Sequence, residues 1–184
     1  MGICVVVEGP DRCGKSTQIK NIVGLIATDI NKLPTMSIHA MNIKGLDAKE
    51  TKSYYEKWTH SMFSMPIVLL ENNFVFDRSH LGEYVYGPKY RNYDGSYVFN
   101  IEETYLSGRV SKWYLITFVD EPQNLVSRED GESFSSKLKD KKEEVKLFLS
   151  AHEKSNIPNK TIINIDGLDE YQVFLRVKRF LLTN

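Results

Sequence analysis

Residues 9 to 16 read Gly9-Pro10-Asp11-Arg12-Cys13-Gly14-Lys15-Ser16, which fits the pattern GxxxxGK[ST]. Each fixed position has a chemical reason. The two glycines let the backbone curl so that successive N–H groups point inward at one anion. A helix starting after the loop adds its free amides and positive end. Lys15 suits charge on terminal phosphates, and the Ser16 hydroxyl can ligand Mg2+. The four fixed positions meet by chance in under about 2% of chains this long. Here an apolar run, Ile3 to Val7, also precedes them as the motif requires, so nucleotide phosphate binding is the expectation.

A second constellation is Phe74-Val75-Phe76-Asp77-Arg78-Ser79. A carboxylate at the end of an apolar strand, downstream of a phosphate loop, can hold Mg2+ through water or orient an acceptor oxygen. Arg78 beside it can clamp an anionic acceptor with its planar fork. The plainer alternative is that Asp77 caps a helix and Arg78 pairs on the surface. Asp120 also ends an apolar strand and competes for the metal role. Glu121-Pro122 after it reads as a helix start, which ranks Asp120 second.

These residues need elements to hold them. Short β-branched or aromatic runs mark strands at Ile3–Val7, Met36–Met41, Phe74–Phe76, Tyr114–Val119 and Thr161–Ile165. Helical spacing marks Ser16–Ile30, Ala48–Phe63, residues 136–153 and Leu168–Leu182, with another short helix starting at Pro66. The alternation predicts an α/β, three-layer P-loop fold: about five strands, mainly parallel, with helices on both faces. The run Lys137–Lys146 reads as a solvated helix face. No linker divides the chain, so residues 1–184 are expected to form one domain, with a lid segment around 128–136.

Lys plus Arg is 24 and Asp plus Glu is 24, so the net charge is zero, which disfavours nucleic acid as the main partner. No stretch approaches the length of a membrane span, and no signal peptide is evident. Two cysteines make no disulfide framework at this size; a reducing, cytoplasmic setting is expected. No Cys/His spacing suggests zinc. A GTPase switch would read guanine through Asn-Lys-x-Asp. Asn31-Lys32 is followed by Leu33-Pro34 and Asn159-Lys160 by Thr161-Ile162, so neither fits.

Val7 to Thr17, followed by Phe76-Asp77-Arg78, resembles the thymidylate kinases whose phosphate loop carries Asp-Arg, and the order of elements extends the likeness over most of the chain. The stretch Asp77–Arg91 resembles phage-encoded small kinases, which would place the protein in a host cytoplasm. The resemblance implies MgATP on Gly9, Asp11, Arg12, Cys13, Gly14, Lys15, Ser16 and Thr17, with Arg128 in or near the lid. Asp11 would approach the acceptor sugar, Arg12 would reach the transferring phosphate, and Arg78 would hold the acceptor phosphate. The catalytic set is then Lys15, Arg12, Asp77 and Arg128, and the metal set Ser16 and Asp77. Asp166-Gly167 would lie near the donor base.

Trp58 and Phe63 fall where those kinases keep their base-stacking helix, and Tyr86, with Tyr84 and Tyr90, could line the same pocket. One departure concerns the acceptor: no arginine occurs between Arg12 and Arg78, where these kinases carry one after the second strand, and Lys44 is the only nearby substitute. The reading is a kinase that phosphorylates a (deoxy)nucleoside monophosphate from ATP with Mg2+. Alternatives are a deoxynucleoside kinase, a kinase of a modified nucleotide or polynucleotide hydroxyl, and a non-catalytic nucleotide-binding protein. A homodimer is left open.

Overall fold

A computed structural model describes residues 2–41, 43, 45–107 and 111–183. Lys44 lies outside the described residues. The strands are β1 (Ile3–Glu8), β2 (Thr35–His39), β3 (Asn73–Asp77), β4 (Lys112–Val119) and β5 (Asn159–Asn164). They form one sheet in the order β2-β3-β1-β4-β5, and every pairing is parallel. This is the expected α/β architecture. β1 is central and buried along its whole length, as its apolar run Ile3–Val7 requires, and it ends on a buried Glu8.

Alternate residues of β1 feed opposite faces. Val5 and Val7 pack with Ile19 and Ile22 of α1 (Lys15–Leu25) and with Val173 and Val177 of α7 (Glu170–Thr183). Cys4 and Val6 pack with α2 (Ala48–Val68), α3 (Leu81–Tyr90), α4 (Tyr97–Leu106) and α6 (Leu138–Lys154). The short α5 (Pro122–Ser127) begins with the Pro122 read as a helix start. Both cysteines are free and buried. Among the described residues no helix is long and apolar enough to cross a membrane.

Two expectations change, and one stretch without a sequence assignment gains structure. No new helix starts at Pro66: α2 runs through it to Val68, because Met62, Phe63 and Pro66 are anchored in the core and the helix ends two residues later. The stretch after Asp77 forms two helices, α3 and α4, which its Gly and Pro content concealed. The helix near 136–153 forms, as 138–154, but its charge run is not wholly solvated. Lys141 and Glu144 are buried, because the segment around 129–134 and α3 cover that side.

Candidate active site

β1 delivers the phosphate loop at the centre of the sheet, and α1 starts at Lys15 immediately after it. Gly9 has φ +136°, and a Cβ there would stand 2.1 Å from the Phe118 carbonyl, so this turn needs glycine. Gly14 is left-handed at the N-cap of α1. The Lys15 ammonium donates to the carbonyls of Gly9 (2.7 Å) and Pro10 (2.6 Å), inside the curl of the loop. Ser16 and Thr17 are exposed at the helix start. Cys13 is buried with its thiol on the Pro10 carbonyl at 2.9 Å, and burial pushes that thiol up, so it serves as a small inert residue.

Arg12 and Arg78 both have left-handed backbones, at φ 70° and 59°. Non-glycine residues held there cost roughly 1–3 kcal/mol and cluster at working sites. Arg12 forms an ion pair with Asp130 and approaches Glu129 at 3.9 Å. Arg78 stands 3.1 Å from Asp11, at ion-pair distance without hydrogen-bond alignment. Arg128 donates to the Arg12 carbonyl (3.0 Å) and pairs with buried Asp120 at 2.5 Å. Asp120 also accepts from the Glu121 amide and Asn124, so its oxygens are committed to structure.

Asp77 sits at the end of β3 in register with Val7 of β1. One of its oxygens pairs with His39 Nδ1 at 3.0 Å. The other, Oδ1, is buried without a hydrogen-bond partner. An orphan carboxylate oxygen beside a phosphate loop fits a hydrated Mg2+.

Two clefts flank the loop. The first holds about 560 Å³, counting space open to solvent, and Gly9, Asp11, Arg78 and Tyr86 line it together. The second, of about 680 Å³, lies over Cys13, Gly14, Thr17 and Arg128 and reaches Ile165 and Leu168 beside the 166–167 turn. Asp166 itself accepts from Asn124 at 2.9 Å.

The aromatic expectation is corrected in part. Phe63 has no exposed surface; it packs on His80 and Trp113 at ring distances of 5.0 and 4.9 Å. Trp58 is half-buried and does not line the first cleft. From the same helix it is Tyr55 that does, with Phe134 arriving from the 128–136 segment. Phe134 stacks on Tyr90 at 4.9 Å and lies 5.2 Å from Tyr86, whereas Tyr84 packs on Phe99.

Sequence reasoning missed several lining residues. Glu8 is buried, and its Oε1 accepts from the amides of Ser79 (2.9 Å), Leu81 (3.0 Å) and Gly82 (3.4 Å) at the start of α3. Burial pushes its carboxyl above the ordinary range, against His80, Lys15 and those amide donors. Glu83 pairs with Arg91 and accepts from the Tyr93 hydroxyl. The Arg91 guanidinium lies 4.4 Å from the Tyr55 ring and 5.3 Å from Phe134. The available signals were an acid closing an apolar strand, Glu8, and an acid within the segment that forms α3, Glu83.

No known protein-family profile matches the chain, and no curated protein matches it by sequence. Solved structures do match in fold. Thymidylate kinase from Candida albicans aligns with TM-score 0.60 at 18% identity, over 100% of this chain and 92% of that one. Thymidylate kinase from Ehrlichia chaffeensis gives 0.69 at 13%, over 98% and 100%. The YorR protein of Bacillus subtilis, solved with phosphorylated GDP, gives 0.64 at 19%, over 98% and 95%. At these identities the likeness is one of architecture: the chain has the α/β fold of the solved thymidylate kinases.

Proposed function

We propose that the chain is an ATP-dependent kinase that moves the γ-phosphoryl group onto the phosphate of a (deoxy)nucleoside monophosphate. The Asp11–Arg78 contact carries this reading. A residue of the phosphate loop there meets, at 3.1 Å, the arginine that follows the strand-end carboxylate. A donor on the loop and an acceptor on Arg78 would thus be neighbours. That solved neighbours are thymidylate kinases, one other neighbour having been solved with phosphorylated GDP, supports a nucleotide as the acceptor class.

In this reading Lys15 and the loop amides hold the donor phosphates, and its base enters the cleft beside Ile165 and Leu168. Arg12 leaves Asp130 to meet charge developing on the transferring group, and Arg128 keeps the loop carbonyl of Arg12 in place. Ser16 and Asp77 would hold Mg2+, whose charge offsets that of the phosphates. Arg78 clamps the acceptor phosphate bidentately. Tyr55 and Phe134 offer flat faces to the acceptor base. The 128–136 segment acts as a lid that excludes water, so transfer outruns hydrolysis.

The test is ADP release from MgATP with deoxynucleoside monophosphates, deoxynucleosides and a short DNA oligonucleotide as acceptors. Turnover with a monophosphate supports the proposal and identifies the base. Release with none of them, while ATP still binds, would sink it in favour of a non-catalytic role.

A further inference from the structure

Three side chains beside the phosphate loop form a buried chain that monophosphate transfer leaves unused. Ser79 Oγ lies 2.7 Å from His80 Nδ1, and His80 Nε2 lies 2.8 Å from Glu102 Oε1. His80 and Glu102 have no exposed surface, and Ser79 is buried except where it lines the first cleft. Glu102 also accepts from Ser155 Oγ at 2.6 Å and from the Asn156 amide. Burial pushes its carboxyl up, but the hydrogen bonds from His80, Ser155 and Asn156 outweigh this and hold it below the usual range.

An ionised carboxylate only accepts, so a neutral His80 ring carries its proton on Nε2. In the neutral ring Nδ1 is then an acceptor, and the Ser79 hydroxyl donates to it. The Ser79 oxygen keeps free lone pairs, and the residue borders the cleft. Its backbone amide is held by Glu8, which directly precedes Gly9, so the hydroxyl belongs to the end of the cleft nearest the phosphate loop.

This arrangement suits an acceptor that carries a proton. A phosphate acceptor is already ionised near neutral pH and needs no base, whereas an alcohol does. Charge does not oppose this: both guanidinium groups of the first cleft, Arg78 and Arg91, already face carboxylates, Asp11 and Glu83.

We propose that Ser79, His80 and Glu102 form a proton relay through which the same site also phosphorylates the primary hydroxyl of a neutral nucleoside. The inference rests on the kinase reading above. The acceptor hydroxyl passes its proton to Ser79 Oγ as the Ser79 proton moves to His80 Nδ1. The freed oxygen forms a bond to the γ-phosphorus while the bond from that phosphorus to the β–γ bridging oxygen breaks. ADP leaves with the electron pair. The imidazolium, stabilised by Glu102, returns its proton through Ser79 once product departs.

The experiment compares ADP release with deoxynucleosides and with their monophosphates, in wild type, Ser79→Ala and Ser79→Thr, with thermal melts as a folding check. The expected result is turnover of both acceptor classes by wild type. Ser79→Ala should lower nucleoside turnover at least about 100-fold more than monophosphate turnover, and Ser79→Thr should restore most of it. A normal solvent deuterium isotope effect should accompany the nucleosides and not the monophosphates. Inert nucleosides beside active monophosphates would overturn the relay and leave the kinase reading standing. Equal losses on both acceptors in Ser79→Ala would reduce the chain to a structural role. Silence from both classes would remove the kinase reading and the relay together.

Discussion

Lys141 Nζ stands 3.2 Å from Glu129 Oε2 and 3.8 Å from Glu144 Oε2, with the lysine side chain fully buried. Glu129 is the same residue that approaches Arg12 and accepts amide hydrogen bonds from Gly131 and Ser133. A helix residue that looked solvated therefore ties the 128–136 segment to α6 and, through Glu129, reaches the phosphate loop.

Removing that ammonium strands two carboxylates. Lys141→Met is expected to destabilise the fold by about 3–5 kcal/mol, since breaking one side of a buried ion pair leaves the other uncompensated. Hydrogen exchange at residues 129–136 should quicken more than exchange in the strands. Unchanged exchange in that segment would show that Lys141 does not anchor it.

In the proposed reaction Arg12 serves catalysis rather than binding. Arg12→Ala should lower kcat by about 10²–10³, the loss expected for one preorganised donor to developing charge, with ATP affinity changed only a few-fold. Steady-state kinetics and ATP titration together decide this. A comparable loss in ATP affinity would make Arg12 a ground-state ligand instead.

Tyr55 and Phe63 should behave in opposite ways. Phe63→Ala empties a fully buried site and should cost about 3–5 kcal/mol of stability, leaving acceptor KM little changed in the protein that folds. Tyr55→Ala should raise acceptor KM at smaller cost to stability, because its ring borders the cleft. Denaturant curves and acceptor titrations of both variants provide the check.

Acid should expose Glu102. Its carboxyl is held below its ordinary value of 4.5, so its contribution is fully present above that pH and fades as pH falls through the lowered folded value. Glu8, Glu83 and Glu144 are pushed up by burial and act in the opposite sense. The difference between wild type and Glu102→Gln isolates the one group. That difference in urea midpoint should be largest near neutral pH and shrink below about pH 4.5. A constant difference down to pH 3 would contradict the assignment.

The phosphate loop was legible because its chemistry is local: eight consecutive residues contain the turn, the lysine and the hydroxyl. The five strands were legible as short buried runs, though not their order around β1, and Asp77 stood out because a carboxylate ending such a run is conspicuous. Residues that act across the fold were hidden. Glu102 gains its meaning from His80, 22 positions earlier, and Lys141 from Glu129 on a facing segment. Naming Trp58 and Phe63 passed over Tyr55 because all three lie on one helix whose aromatic spacing cannot tell core from cleft. Once α2 is docked, Phe63 faces Trp113 of β4, while Tyr55 meets Arg91.

Glu8 joins the last residue of β1 to the first turn of α3 through amides 79, 81 and 82. In the proposed reaction the loop that carries the donor and the helix that faces the acceptor are thus joined through one carboxylate, and the gap that the phosphoryl group crosses would be set by this frame rather than by the 128–136 segment above it.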